Sequence, residues 1–269
     1  MILRTLGDAG ARALAANLPA CLVVLKLSLL CCGCTNGSAV ALAETLPAGL
    51  NRLTLILGGE GGRTPGIEES GVRALAEKLP RNLTQLCLHL GECSVGEAGV
   101  QALAANLPPG LTELSLFFGD CGMDKYGART LAENFHRLSV LQILVLDFSS
   151  CRIEDAGARA VAERLPTGLA SLNLGFAYAS LRDTGVATVL RAVQERSGTL
   201  TELYLDFTGC HIDLPSTWAV ADGLPAWVKP KLNFADSWGV ARAPASQATW
   251  HRQFYVTRNA GEPHPGHIY

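Results

Sequence analysis

A leucine pattern that returns in step along the chain limits what it can fold into. Leu-x-x-Leu-x-Leu begins at Leu22, Leu50, Leu83, Leu111, Leu141, Leu169 and Leu200, at intervals of 28, 33, 28, 30, 28 and 31 residues. A weaker eighth copy, Lys229-x-x-Leu232-x-Phe234, starts 29 residues after the seventh. Alternation at period two puts Leu203 and Leu205 on one face of an extended strand. It runs one step further, into an extra inward slot held by Phe118, Phe148, Phe176 and Phe207. Three residues on lies a slot filled by Cys32, Cys93, Cys121, Cys151 and Cys210, with Ala179 where the cysteine is lost. A thiol recurring at one slot reads as a small buried side chain.

The second half of each unit has helical spacing. Gly71 to Pro80 recurs as Gly10 to Pro19, Gly99 to Pro108 and Gly157 to Pro166. Leu75 and Leu79, four apart, share a face with Ala74 beside them, while Arg73, Glu77 and Lys78 lie on other sides. The proline ends the helix and returns the chain to an extended path. One such strand-helix unit cannot bury its apolar face alone, whereas a stack of them forms a continuous core. The expected fold is therefore an α/β solenoid in a horseshoe arc, with parallel strands on the concave face and helices on the convex face. About eight repeats span 1–235. Residues 236–269, with Trp238 and Trp250, read as an irregular tail or partial C-terminal cap.

Units of 28 to 29 residues with a cysteine at the strand exit and a full helix resemble the ribonuclease-inhibitor-like leucine-rich repeats. The same repeat type forms the sensing ends of NACHT-type receptors and the body of the GTPase-activating protein for Ran. The resemblance covers roughly residues 1 to 234. It implies binding along the concave face and the adjoining loops.

Composition narrows the function classes. Hydrophobic residues make up 48% and charged residues 17%, enough apolar material for a large core. The net charge of −2 carries no basic block, so no nucleic-acid partner is expected. Nine cysteines, an odd number in a long core-rich chain, argue against a disulfide framework and for a reducing, cytoplasmic setting. Cys31, Cys32 and Cys34 lack the second ligand pair that zinc needs. Leu22 to Cys32 is short of the ~20 apolar residues that span a bilayer, and Lys26 interrupts it, so no membrane partner is expected. Gly58 to Gly66 is a glycine-rich insertion in the second repeat. Its Gly62-Arg63-Thr64 echoes a phosphate loop, but Leu57 and Arg63 stand where that loop needs glycine and lysine. No cofactor is expected.

Residues alternating with the inward leucines face out of the concave sheet. The early ones include Lys26 and Arg52, and the later ones Glu113, Asp147, Glu202 and Asp206, so the face grades from basic to acidic. Candidate partner-binding residues are His89, Glu113, Phe117, Asp147, Glu202, Tyr204 and Asp206, together with Arg63 in the glycine loop. Phe117 and Tyr204 are aromatic anchors of the kind that dominate interfaces. No catalytic set stands out. Cys210 and His211 are adjacent and point to opposite faces of an extended segment. Asp147 and Asp206 share a slot two repeats apart with Gly175 between them, which reads as a solvated acidic stripe. The expectation is a monomeric protein-interaction module that is not an enzyme. The alternative is a regulator of a small GTPase, acting through Arg63 or Arg152.

Overall fold

The computed structural model describes residues 6–58, 66–196, 198–212 and 232–233. Helices and strands alternate along it. They run α1 (Gly7–Ala16), β1 (Val24–Ser28), α2 (Asn36–Thr45), β2 (Arg52–Ile56), α3 (Glu69–Glu77), β3 (Gln85–His89), α4 (Gly96–Asn106) and β4 (Glu113–Phe117). Then come α5 (Lys125–Glu133), a short 3-10 turn (Phe135–Arg137), β5 (Ile143–Asp147), α6 (Glu154–Glu163), β6 (Ser171–Gly175), α7 (Asp183–Glu195), β7 (Glu202–Asp206) and β8 (Leu232–Asn233). The strands form one open parallel sheet in chain order. No helix among the described residues is long and apolar enough to cross a membrane. The glycine loop with Arg63 and the tail from Asp236 lie outside the described residues.

The leucine rows set the register. Leu53, Leu86, Leu114, Leu144, Leu172 and Leu203 stand opposite one another from β2 to β7, and every one is buried. The eighth strand differs from its expected place. Leu232 pairs with Leu205, not with Leu203, so β8 is two residues out of step with the repeat. A slip of two leaves the inward and outward faces unchanged. Period-two alternation therefore cannot detect it, and the segment before β8 lacks the glycine-led helix start that would count the residues.

Past each strand the chain stays tied to its neighbour. The backbone N–H of Phe118 donates to Asp147, that of Phe148 to Gly175 and that of Phe176 to Asp206, at 2.7 to 2.8 Å. Phe118, Phe148, Phe176 and Phe207 are fully buried and stack ring over ring, 5.6 to 6.0 Å between centroids. Two residues later the backbone turns left-handed at Cys31, Glu92, Asp120, Ser150 and Tyr178, with φ from 53 to 59°, and at Gly209. A left-handed L-residue costs roughly 1–2 kcal/mol. A hydrogen bond to the next unit offsets it: Glu92 N–H to Gly119, Asp120 to Ser149, Ser150 to Ala177 and Tyr178 to Thr208.

The cysteine slot has a job in this ladder. The thiols of Cys93, Cys151 and Cys210 donate to the carbonyls of Leu57, Phe118 and Phe176, each in the preceding unit, at 3.0 to 3.5 Å. Burial pushes the Cys93 thiol up to about 12 and the Cys210 thiol up to about 11. Cys32 departs from the expected buried ladder. It is half-buried and its thiol turns to Leu30 of its own unit.

The helices are linked end to end by a second device. In most units the residue two before the helix glycine slot caps the next helix. Asp8 accepts from the backbone N–H of Thr35 and Ser38 and from both hydroxyls, at 2.5 to 3.1 Å. Asn36 accepts from the N–H of Glu68 and Gly71, Glu69 from Ala98, and Asp155 from Arg182 and the Thr184 hydroxyl. These groups satisfy N–H donors that a helix start leaves without partners. At Gly96, φ is +64° and a Cβ would collide with the Glu69 carboxylate, so the α3-to-α4 cap needs glycine there. In α5 the slot holds Lys125, which pairs with Glu154 at 2.8 Å instead.

Two consequences are measurable. Phe148→Ala should cost about 3–5 kcal/mol in chemical denaturation, since it empties the middle of the ring stack, and Phe148→Leu should cost clearly less. Burial raises the Asp8 carboxyl, but the Ser38 and Thr35 hydroxyls and amides override it and hold the group at about 2, below its ordinary 3.8. Its stabilisation is thus full above pH 3.8 and fades as pH falls through about 2. Asp8→Ala should cost about 1–2 kcal/mol at pH 7, and the gap to the wild type should close in thermal unfolding between pH 4 and pH 2.

Candidate interaction surface

The helices cover one face of the sheet. On the other, three outward rows run straight across the strands, as the pairing dictates. The first holds Val24, Arg52, Gln85, Glu113, Ile143, Ser171 and Glu202. The second holds Lys26, Thr54, Cys87, Ser115, Val145, Asn173 and Tyr204. The third holds Ser28, Ile56, His89, Phe117, Asp147, Gly175 and Asp206. All seven described candidates from the sequence lie on this face, four of them in the third row.

His89 and Phe117 face each other on neighbouring strands and stack at 4.0 Å with planes 7° apart. Both are half-buried. Burial pushes the His89 imidazole below its ordinary 6.5, opposed by the nearby Asp147 carboxylate. Ile56 precedes the pair in the row, and Cys87 lies beside His89 on the same strand face, its thiol raised to about 11 by burial. The start of the third row is thus an aromatic platform with weakly polar edges.

The acids differ from the solvated stripe expected of them. Asp147 and Asp206 are half-buried and each is fixed by its own turn. Asp147 Oδ1 accepts from Ser149 N–H at 3.0 Å and from its hydroxyl. Asp206 Oδ1 accepts from Thr208 N–H at 2.9 Å and from its hydroxyl at 2.6 Å. The slot that alternates outward at the strand end also needs an acceptor to close the exit turn, a demand invisible to alternation alone. Between them Gly175 leaves room: a Cβ there would stand 2.7 Å from Asp147 Oδ1. Tyr204 Oη lies 3.5 Å from Asp206 Oδ2. In the first row, Gln85 Nε2 donates to Glu113 Oε1 at 2.6 Å, while Glu202 is exposed. The basic end survives as expected, with Lys26 and Arg52 exposed.

One feature the sequence reading missed lies on the helix side. A groove of about 470 Å³ opens between α4 and α5. Buried Val100 and Met123 line it, with Glu97, Tyr126, Arg129 and Glu133 around them. It coincides with a gap in the capping chain. Asp124 caps its own helix, accepting from Tyr126 and Gly127, so among the described residues Glu97 caps nothing in α5. Asp8, Asn36, Glu69, Glu97, Lys125 and Asp155 hold one slot. Glu97 keeps the acceptor type, so the sequence carries no signal for this gap; the break in the run, Lys125, falls at the next link, from α5 to α6.

A family model described as Leucine Rich repeat matches residues 143–162, which carry β5 and most of α6. With the same strand, turn and helix repeated in register from β1 to β7, that settles the type of chain. The fold is a leucine-rich-repeat α/β solenoid. A solved structure titled "Leiomodin-1 Actin-Binding Site 2 (ABS2)" is similar to this leucine-rich-repeat chain at 21% identity, over 60% of this chain and 90% of that one, with a TM-score of 0.41. No curated protein matches the sequence.

The stack makes His89 a reporter of this surface. In an NMR titration its imidazole should titrate below 6.5, and acid should therefore destabilise the fold through it as pH drops below that value. Asp147→Asn should lower its pKa further, and Phe117→Ala should bring it back toward 6.5 by exposing the ring.

Proposed function

We propose that this leucine-rich-repeat protein is an interaction module that binds another protein across the open face of its sheet and the adjoining strand exits, without chemistry of its own. The observation that carries this is the uncovered sheet. Parallel sheets are normally covered on both faces. Here helices cover one, while Ile56, Phe117, Ile143, Val145 and Tyr204 stay half-exposed on the other, spread over β2 to β7. Open apolar and aromatic area in a polar frame is what interfaces are made of. The half-buried acids, locked in place before any partner arrives, lower the ordering cost of binding.

The unit length, the exit cysteines and the full helix per unit support placement with the ribonuclease-inhibitor-like repeats. Nine thiols, with Cys93, Cys151 and Cys210 used as hydrogen-bond donors in the core, support a reducing compartment. The GTPase-regulator reading gains nothing comparable. Arg152 is exposed before α6, and its backbone N–H bridges to the Met123 carbonyl of the preceding unit, a structural role. Arg63 lies outside the described residues.

A pull-down from native cell extract tests the proposal, comparing the wild type with Phe117→Ala/Tyr204→Ala. Both side chains are outward and half-buried, so the double variant should keep its melting temperature within a few degrees. It should lose the captured protein at least tenfold, as hot-spot aromatics do. Undiminished capture would remove the open face from consideration.

A further inference from the structure

We infer that the open face takes an amphipathic α-helix of another protein, with an apolar side chain seated on the His89–Phe117 stack and a lysine or arginine seven residues later between Asp147 and Asp206. The inference rests on the open-face reading above and gives its partner a chemistry.

The two subsites lie in one row. The stack of His89 and Phe117, flanked by Ile56 and Cys87, is a half-buried aromatic patch. Further along the same row come Asp147, Gly175 and Asp206. Glycine in the middle leaves bare backbone between two carboxylates, and Asp147 leans over it. Each carboxylate commits Oδ1 to its own turn, so its rotamer is set in the unbound protein. The outward residues of β5, β6 and β7 include Asp147, Glu202 and Asp206 and no cation. A segment crossing this half of the face meets uncompensated negative charge, which a basic side chain complements. The exposed Lys26 and Arg52 at the far end of the sheet add the opposite preference there.

The spacing selects a helix. Phe117 and Gly175 are two strands apart, about 10 Å at ~4.8 Å per strand. Seven helical residues advance ~10.5 Å and complete almost two turns, so side chains at i and i+7 point the same way. An extended segment covers the same distance in about three residues and presents its first and last side chains to opposite faces.

The probe is a labelled, alanine-based helical peptide of about twenty residues with Leu at i and Arg at i+7, read by fluorescence anisotropy on the full chain. Two controls replace that Arg with Glu, or move it to i+9 on the opposite side of the helix. The first peptide should bind at least about tenfold tighter than either control at low salt. Asp147→Asn/Asp206→Asn keeps the acceptors that close both turns, so the fold should hold while this preference disappears. Phe117→Ala should weaken all three peptides. Equal binding of the three peptides, or no binding of any, overturns the inference. If that happens while Phe117→Ala/Tyr204→Ala still loses the captured protein, the open-face reading stands and only the helix-and-cation chemistry falls. If the double variant keeps that protein, the open-face reading itself is wrong.

Discussion

Everything in this molecule depends on the fact that no unit can bury its own leucines. A five-residue strand and a ten-residue helix enclose too little volume for a core, so each unit completes itself against the next. The structure shows this dependence atom by atom. The strand amides, the Phe118 and Phe148 amides, the left-handed Glu92 and Asp120, the Cys93 and Cys151 thiols and the Asp8 carboxylate all find partners in an adjacent unit. The inward rows are nearly dry from Leu53 to Phe207. Stability is thus a sum of interfaces between neighbours, and the rings of Phe118 to Phe207 run through it as one continuous buried stack.

Much of this was legible in the sequence because burial imposes periodicity. Inward leucines, the phenylalanine slot and the exit cysteines each recur in phase, and a repeated demand leaves a repeated residue. Legibility failed where a demand has no phase of its own. The two-residue slip of β8 keeps every face unchanged, so alternation is blind to it. Asp147 and Asp206 looked like solvent-facing acids because their position alternates outward; the exit turn that recruits their oxygens lies in the backbone. The capping chain from Asp8 through Asn36 and Glu69 to Asp155 uses different residue types for one task. A search by identity passes over it, while a search by acceptor chemistry would find it.

The candidate surface shows the same division. Its location followed from the alternation, and the seven described candidates do share one face. Their state did not follow. The stacking of His89 on Phe117 depends on two neighbouring strands placing rings in one slot, which becomes visible only once the pairing aligns them. Glu113 is held by Gln85, Glu202 stands in solvent, and Tyr204 leans toward Asp206. An apparently uniform acidic stripe is therefore two fixed carboxylates, one shared carboxylate and one exposed carboxylate that salt screens.

The left-handed exit position carries one more implication. Five units fill it with five different side chains, Cys31, Glu92, Asp120, Ser150 and Tyr178, in nearly the same backbone geometry. What the fold asks of this position is a torsion angle and an amide. The Glu92, Asp120, Ser150 and Tyr178 side chains all lie in solvent. From Glu92 to Ser150, shape and chemistry at this rim are uncoupled. Side chains along this edge can change from unit to unit while the ladder of amides beneath keeps the same backbone geometry, with one coupling between neighbours: the Tyr178 ring lies where a Cβ at Gly209 would stand, so that pair changes together.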